Sequence, residues 1–424
     1  MKIGVFVCHC GTNISSTVDV EKVAQGAFSL PRVTYAVSYK YMCSDPGQNL
    51  IRQAVKEHSL DRVVVASCSP NLHEKTFRKC VEDSGINPYL VEMANIREHC
   101  SWVHRDREKA TQKAIEITKL AIAKVSRSRS LEKTYIPIEK KALVIGGGIS
   151  GIQSAIDIAF ARYPVVIVER EPTIGGRMAR FDKTFPTLDC AACILTPKMV
   201  TVAQSKYVTI HTYSEIEEVS GHVGDFKVKI RKKARFVDIN KCTGCGACFA
   251  KCPVKVPSEF DLGLGVRKAI YVPFPQAVPN VPVIDRGNCL YFKTKACALC
   301  QKACQAQAID FQMQDEIIEE KFGAIIVATG FTQFDHSVYG EYGYARFKDV
   351  ITGLHFERMI NSSGPTGGKI IRLSDGKEAA DVVFIQCVGS RDEQKGLSYC
   401  SRLCCMYTAK HALLLKEHNP KAQA

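Results

Sequence analysis

The feature that most constrains this chain is a doubled cysteine run near its middle. Cys242, Cys245, Cys248 and Cys252, the last followed by Pro253, spell C-x2-C-x2-C-x3-C-P; Cys289, Cys297, Cys300 and Cys304 repeat the C-x2-C-x3-C part after a longer first gap. This is the spacing of two-cluster ferredoxins, in which the fourth cysteine of one run ligates the other run's cluster. The expected assignment is therefore crossed. Cys242, Cys245, Cys248 and Cys304 hold one [4Fe–4S] cluster, while Cys289, Cys297, Cys300 and Cys252 hold the other. Cysteine pairs of this kind also build zinc sites, but eight thiols in two triplet-plus-one sets exceed what a zinc ribbon needs. Two such clusters suit electron relay.

The remaining composition is that of a globular protein. The chain has 424 residues, 46% hydrophobic and 24% charged, enough for two to four domains. No apolar run reaches the roughly 18 residues of a membrane-spanning helix. The opening MKIGVFVCHCGTN enters a β-rich run at once and lacks the layout of a secretion signal. A chain this long does not need disulfides to close its core, so its 20 cysteines are read as cluster ligands or redox groups. Thiolate clusters offset part of the formal charge of +14. The Lys and Arg residues are dispersed without a nucleic-acid-binding pattern, and a basic surface for an acidic electron carrier fits as well.

The cysteine-rich segment interrupts another pattern. From Lys141 the sequence ALVIGGGISGIQSAIDIAFARYPVVIVERE reads as strand, glycine turn, helix and strand, with Gly146, Gly148 and Gly151 in G-x-G-x-x-G. In that context the glycines bring the backbone and a helix N-terminus up to a pyrophosphate. Glu169 ends the second strand, where a carboxylate accepts hydrogen bonds from a ribose. A further flexible loop carries Gly175, Gly176 and Arg177, and Ala328-Thr329-Gly330 follows a strand-like run at 322–329. These pieces resemble the flavoproteins with two dinucleotide-binding domains, such as thioredoxin reductase, and make FAD the expected cofactor. No second fingerprint for a nicotinamide is visible.

The expected fold is thus α/β: a small α/β domain over 1–135, an FAD-binding Rossmann-type domain over 141–236 and 313–424, and an inserted ferredoxin domain over 237–312. Lys2–Cys8 and Arg62–Ser67 read as buried strands, Arg107–Arg129 as a helix, 207–235 as an antiparallel meander, and Asp381–Gln386 as one more buried strand. Three further groups of cysteines stand outside the insert. Cys387, Cys400, Cys404 and Cys405 gather within 19 residues and suggest a third cluster of unusual geometry, with burial as small hydrophobes the plain alternative. Among the six cysteines of the first region, Cys8, Cys10, Cys43 and Cys68 are the first choice for another cluster. Cys190 and Cys193 form a C-x2-C that suits a redox dithiol, a pair of cluster ligands or a structural pair, and spacing does not choose among them.

At this point a whole-chain resemblance is visible. The segments VFVCHCGTN, YKYMCSDPGQ, VVVASCSPNLHEKTF, ANIREHCSWVH, LDCAACILTPKMV and KCTGCGACFAKCP, with VGSRDEQKGLSYCSRLCCMYTAKHALLLKEHNP, are similar to the A subunit of heterodisulfide reductase, an iron–sulfur flavoprotein of methanogens and related anaerobes. The long form of that family continues beyond the match, so the chain resembles a C-terminally short form. The resemblance implies a cytoplasmic, multi-subunit complex performing flavin-based electron bifurcation. A hydrogenase or formate dehydrogenase partner supplies electron pairs; one electron goes to ferredoxin, the other towards the CoM-S-S-CoB heterodisulfide, cleaved on other subunits. The resemblance also makes Lys410 a candidate for the positive charge near the flavin N5, against an ordinary solvated lysine. Two rival functions follow from the residues: a self-contained flavin disulfide reductase using Cys190 and Cys193, and a non-catalytic iron–sulfur relay.

Overall fold

The computed structural model describes residues 1–424, which divide into two compact units, Met1–Tyr135 and Ile136–Ala424. In the first unit, strands β1 (Ile3–Cys8), β2 (Val33–Tyr39), β3 (Arg62–Ser67) and β4 (Val91–Asn95) alternate with helices α1 (Val20–Phe28), α2 (Asp45–His58), α3 (Pro70–Glu82) and α4 (Arg107–Arg127). The strands are all parallel, in the order β2-β1-β3-β4. Continuous apolar runs such as VVVA in β3 are what a sheet covered on both faces requires. Ile3, Val5, Val7 and Val64 face α1 and α4; Phe6, Val63 and Val65 face α2 and α3. Ser44 and Asp106 cap α2 and α4 by accepting first-turn backbone N–H groups. Because the order reverses between β1 and β3, a crevice opens at the carboxyl edge of these strands.

The second unit begins with β5 (Ala142–Ile145), α5 (Ile149–Phe160), β6 (Val165–Glu169), α6 (Ala191–Gln204) and β7 (Val208–Thr212). A hairpin follows, β8 (Ser214–His222) and β9 (Asp225–Lys232). Next come the short elements of the cysteine-rich segment, α7 (Ala247–Ala250), β10 (Val256–Pro257), β11 (Val266–Arg267), β12 (Ile270–Tyr271), β13 (Val283–Ile284), α8 (Leu290–Thr294) and α9 (Leu299–Ala303). The chain ends with β14 (Glu316–Phe322), β15 (Ala324–Val327), α10 (Gly353–Ile360) and α11 (Cys404–His418). A parallel sheet runs β15-β5-β6-β7, and an antiparallel sheet β14-β9-β8 covers one of its faces. Leu143, Val166 and Val168 meet Val228, Ile230 and Phe322 between the two sheets, while Ile152, Leu195 and Met199 of α5 and α6 fill the opposite face.

Two expectations need correction. Residues 207–235 are not one meander: Val208–Thr212 pairs parallel to β6, and only 214–232 form an antiparallel hairpin. Apolar and polar residues alternate in both pieces, so alternation alone does not tell a parallel edge strand from a hairpin. Asp381–Gln386 is not a buried strand either. Asp381 makes a single bridge to Gln423, and Val383 is 86% exposed. An apolar run extends a sheet only where an edge is within reach, and no strand pairs with this one.

The first unit has its own two-sided core, so the fragment Met1–Tyr135 is predicted to unfold in one cooperative denaturant transition. Phe6 is fully buried, and Phe6→Ala should lower the fragment's stability by about 3–5 kcal/mol. Circular dichroism during urea titration measures both.

Candidate functional site: a nucleotide cradle and four groups of thiols

The glycine turn leaves β5 at its carboxyl end and opens α5. Gly146 has φ +108°, and a Cβ there would lie 2.3 Å from the Ala328 carbonyl oxygen; a Cβ on Gly151 would lie 1.9 Å from that of Gly146. Gly148, by contrast, faces open space, with nothing within 4 Å of a Cβ position. The turn is therefore tight where strand and helix meet and open where a phosphate would approach. Glu169 is held in place beside it. Its carboxylate accepts the Gly147 N–H at 2.6 Å and the Glu171 N–H at 2.9 Å, and burial pushes its pKa up. Gly176 sits against Gly148, where an added Cβ would come within 2.8 Å of the Gly148 Cα. Arg177 donates from Nε to the Phe331 carbonyl at 3.0 Å and lies over the Phe331 ring. Ala328 bonds to Ile145, so Ala328, Thr329 and Gly330 continue along the same edge. The structure thus places the glycine turn, Glu169, Gly176 and Ala328–Thr329 at one edge, with Arg177 against Phe331 and Gly330 in open space.

In the inserted module, Val237 bridges Ile309, and α7 packs on α9. That contact sets Cys248 and Cys300, both buried, side by side as related halves. Cys252, Cys289, Cys297 and Cys300 line one small pocket whose walls include Pro253, Ile270, Tyr291 and Phe311. Cys248 is the neighbour of Cys242 and Cys304, while Cys245 is exposed. Burial pushes the Cys248 thiol up to about 11 and the Cys300 thiol up to about 12. Those thiols ionise only with a strong local positive charge, which a cluster's iron supplies. No three His, Cys, Asp or Glu side chains close round one point as a lone ion would require. A cubane spreads its ligands over four irons and suits the wider arrangement.

The C-terminal group forms at the start of α11. Cys404 and Cys405 open the helix, and the charge of Cys404, with burial and the weaker influence of Cys387 and Cys400, pushes the Cys405 thiol up, so the other three cysteines lie within electrostatic reach of Cys405. Cys405 donates to Gln386 Oε1 at 3.1 Å. Cys387 has φ +59°, a region that residues with a side chain rarely occupy.

Lys410, one turn further along α11, is not a solvated lysine. It is 5% exposed and pairs with Glu357 of α10, which is 3% exposed. Its ammonium also donates to the Lys183 carbonyl at 2.9 Å. His411 bonds to the same Glu357 oxygen, and the other oxygen accepts the Asp182 N–H at 3.3 Å. Burial opposes ionisation of Glu357, but the His411 hydrogen bond and the charges of His411 and Lys410 together hold its pKa below the usual range. Nothing in the local sequence marks Glu357, which lies 53 residues from Lys410. Arg358, the next residue, bonds to Asp261 of the inserted module at 2.9 Å and to the Arg180 carbonyl at 3.2 Å. The turn of α10 therefore ties the insert, the loop after Gly176 and α11 to one point.

In the first unit, Cys8 ends β1, Cys43 follows β2 and Cys68 follows β3, so these three lie at the carboxyl edge of the sheet. Cys8 Sγ accepts from Cys10 N–H at 3.3 Å and from Met42 N–H at 3.4 Å, and Arg97 donates to Cys10 Sγ at 3.2 Å. Burial pushes the Cys8 thiol up to about 11. The other two cysteines are different. Cys80 and Cys100 are fully buried and donate to the Gln48 and Ala110 carbonyls, as core thiols do.

Cys190 and Cys193 are joined in a disulfide at the start of α6, the only disulfide among the 20 cysteines.

Comparisons with known proteins agree with this geometry. The NAD(P)-binding Rossmann-like domain family matches residues 144–201, and the 4Fe-4S binding domain family matches residues 236–258. The chain is similar over 100% of its length to the iron-sulfur A subunit of the CoB--CoM heterodisulfide reductase of Methanocaldococcus jannaschii, at 54% identity and covering 64% of that protein. It is 52% identical to the A subunit of the H(2):CoB-CoM heterodisulfide,ferredoxin reductase of Methanothermobacter marburgensis, covering 100% of this chain and 63% of the relative. It is 47% identical to the A subunit of the Ferredoxin/F(420)H(2)-dependent CoB-CoM heterodisulfide reductase of Methanosarcina acetivorans, covering 99% and 53%. The chain thus spans less than two thirds of the length of these relatives.

The Glu357 pair gives a prediction with a sign. A carboxylate whose folded pKa lies below its unfolded value of about 4.3 contributes stability that is complete above that value and is lost as pH falls through the folded pKa. Glu357→Gln should therefore destabilise the protein at pH 7 by about 3–5 kcal/mol, because it leaves Lys410 buried without its partner. That difference should shrink in acid. Denaturant titrations of both proteins at pH 7 and at steps down to pH 2 test it; equal stability at pH 7 contradicts the buried pair.

Proposed function

We propose that this chain, similar over its whole length to heterodisulfide reductase iron–sulfur A subunits, distributes electrons within a heterodisulfide-reductase-type complex. In this reading a hydrogenase or formate dehydrogenase partner supplies electron pairs, and the chain divides them between ferredoxin and the subunits that reduce the CoM–CoB heterodisulfide. The observation that carries the reading is a flavin-type nucleotide cradle and a four-thiol cavity built into one continuous unit, tied together at Arg358.

FAD, when bound, supplies the conversion between two-electron and one-electron transfer, and [4Fe–4S] clusters carry single electrons onward. The residues have distinct tasks. The N–H groups at the start of α5 receive the pyrophosphate, Glu169 accepts from a ribose hydroxyl, and Gly176 and Arg177 close the cradle against the segment Ala328–Phe331. Cys252, Cys289, Cys297 and Cys300 hold one cluster, and Cys242, Cys245, Cys248 and Cys304 hold the other. Cys387, Cys400, Cys404 and Cys405 take a third, and Cys8, Cys10, Cys43 and Cys68 a fourth. Lys410 contributes the positive charge that tunes the flavin, with Glu357 fixing its position.

The test is anaerobic purification with iron, acid-labile sulfide and flavin quantified per chain. The expected result is one FAD with three or four clusters, hence about 12–16 iron atoms. About eight iron atoms or fewer would remove the clusters outside the insert, and full iron with little flavin would favour the relay reading. Cys252→Ser should change the electron paramagnetic resonance of one insert cluster and leave the Cys242 cluster's signal in place. Loss of both signals together contradicts the crossed assignment.

A further inference from the structure

The Cys190–Cys193 pair stands apart from every other thiol in the chain. The remaining 18 cysteines are free, but these two are bonded to each other, and both are exposed. They occupy the first turn of α6, a helix of 14 residues. Cys190 is its N-cap, and its sulfur accepts the Cys193 N–H at 3.2 Å. Helices that cross between parallel strands run antiparallel to them, so α5 and α6 start at the same edge of the sheet. The pair therefore lies on the edge where the nucleotide cradle opens. The loop before it is ordered by its own backbone: Thr184 N–H donates to Asp189 at 2.7 Å, Ala191 N–H donates to Asp182 at 3.0 Å, and Lys183 bridges Cys190.

A buried structural disulfide would be shielded by its surroundings, and this one is not. Nor does it close a long loop, since only two residues separate the cysteines, which leaves little chain entropy for it to restrict. Its surroundings instead match those of exchange-active pairs. A helix N-terminus and a donated N–H both stabilise negative charge on the sulfur of Cys190, and solvent reaches both residues.

We propose that Cys190 and Cys193 form a solvent-facing thiol–disulfide exchange site whose substrate is a dithiol, distinct from the cluster ligands and from the nucleotide cradle. The exchange balances without an added oxidant. One thiolate of the incoming dithiol attacks Cys190 Sγ and breaks the Cys190–Cys193 bond, and Cys193 leaves and takes a proton. The second thiol of the substrate then attacks the mixed disulfide and expels Cys190, whose thiolate the Cys193 N–H and the helix start stabilise until it is protonated. The substrate loses two electrons and two protons and becomes a disulfide; the pair gains both. The second step runs back from Cys190, so Cys190 is the exchanging sulfur and Cys193 the resolving one.

The experiment uses the full chain with its cofactors, kept free of air, with dithiothreitol as the probe and alkylation followed by mass spectrometry of the 183–198 peptide as the readout. Before treatment the peptide should carry no alkyl group; when dithiothreitol precedes the alkylating agent it should carry two, and when the dithiothreitol is removed and excess oxidised glutathione is added before alkylation it should again carry none. In Cys193→Ser, a thiol probe activated as a mixed disulfide should be retained on Cys190; in Cys190→Ser, retention should fall at least tenfold. Iron per chain should be unchanged in both variants. Three results overturn the proposal: a peptide alkylated twice before any dithiol is added and still so when excess oxidised glutathione precedes alkylation, loss of iron in either serine variant, or opening of the pair when bound flavin is photoreduced with no dithiol present. None of these readouts depends on the electron-distributing role, so the two readings fail separately.

Discussion

Sulfur that must become thiolate inside a protein needs positive charge at hand, and the architecture is arranged around that need. Burial alone makes the Cys8, Cys248 and Cys300 thiols harder to ionise. In the proposed assignment each group sits where loops from several elements converge, so that cluster iron would supply the charge. In the first unit the converging elements are the carboxyl ends of parallel strands, and in the insert they are two short helices packed face to face. At α11 it is a helix start, where the backbone already favours an anion. The exposed Cys190–Cys193 pair has no such need, and it is the pair found bonded to itself.

A second layer of organisation is ionic. Glu357 and Arg358 are consecutive on α10 and almost wholly buried, yet they point to different partners. Glu357 gathers Lys410, His411 and the Asp182 backbone, whereas Arg358 gathers Asp261 and the Arg180 backbone. Two adjacent side chains thus fix the position of the inserted module relative to α11 and to the loop after the glycine-rich turn. Breaking either ion pair strands a buried charge, so these contacts are more specific than any apolar face would be.

How much of this was legible in the sequence depends on whether the governing interaction is local. The G-x-G-x-x-G turn and the C-x2-C-x2-C-x3-C-P run are local rules of backbone space and ligand spacing; the turn forms between strand and helix, and Cys252 joins Cys289, Cys297 and Cys300 around one pocket. The antiparallel pairing of Phe322 with Phe226, and the separate parallel pairing of Val208–Thr212, depend on which sheet edge is free, so the alternation of 207–235 did not separate them. Asp381–Gln386 misled for the same reason, since its apolar run met no edge. Lys410 carried no sign of burial because its partner lies on another helix, and the Cys190–Cys193 spacing suited three chemistries until the bond itself was seen.

The way the inserted module joins its host has a consequence of its own. It leaves from the end of β9 and returns at the start of β14, and Lys232 is paired directly with Glu316 across those strands. The two attachment points are neighbours on one antiparallel ladder, so the host sheet closes whatever lies between them. Such a junction works like a socket. Residues inside the cassette, such as the stretch between Cys289 and Cys297, can be added or removed without moving the paired strand ends that hold it.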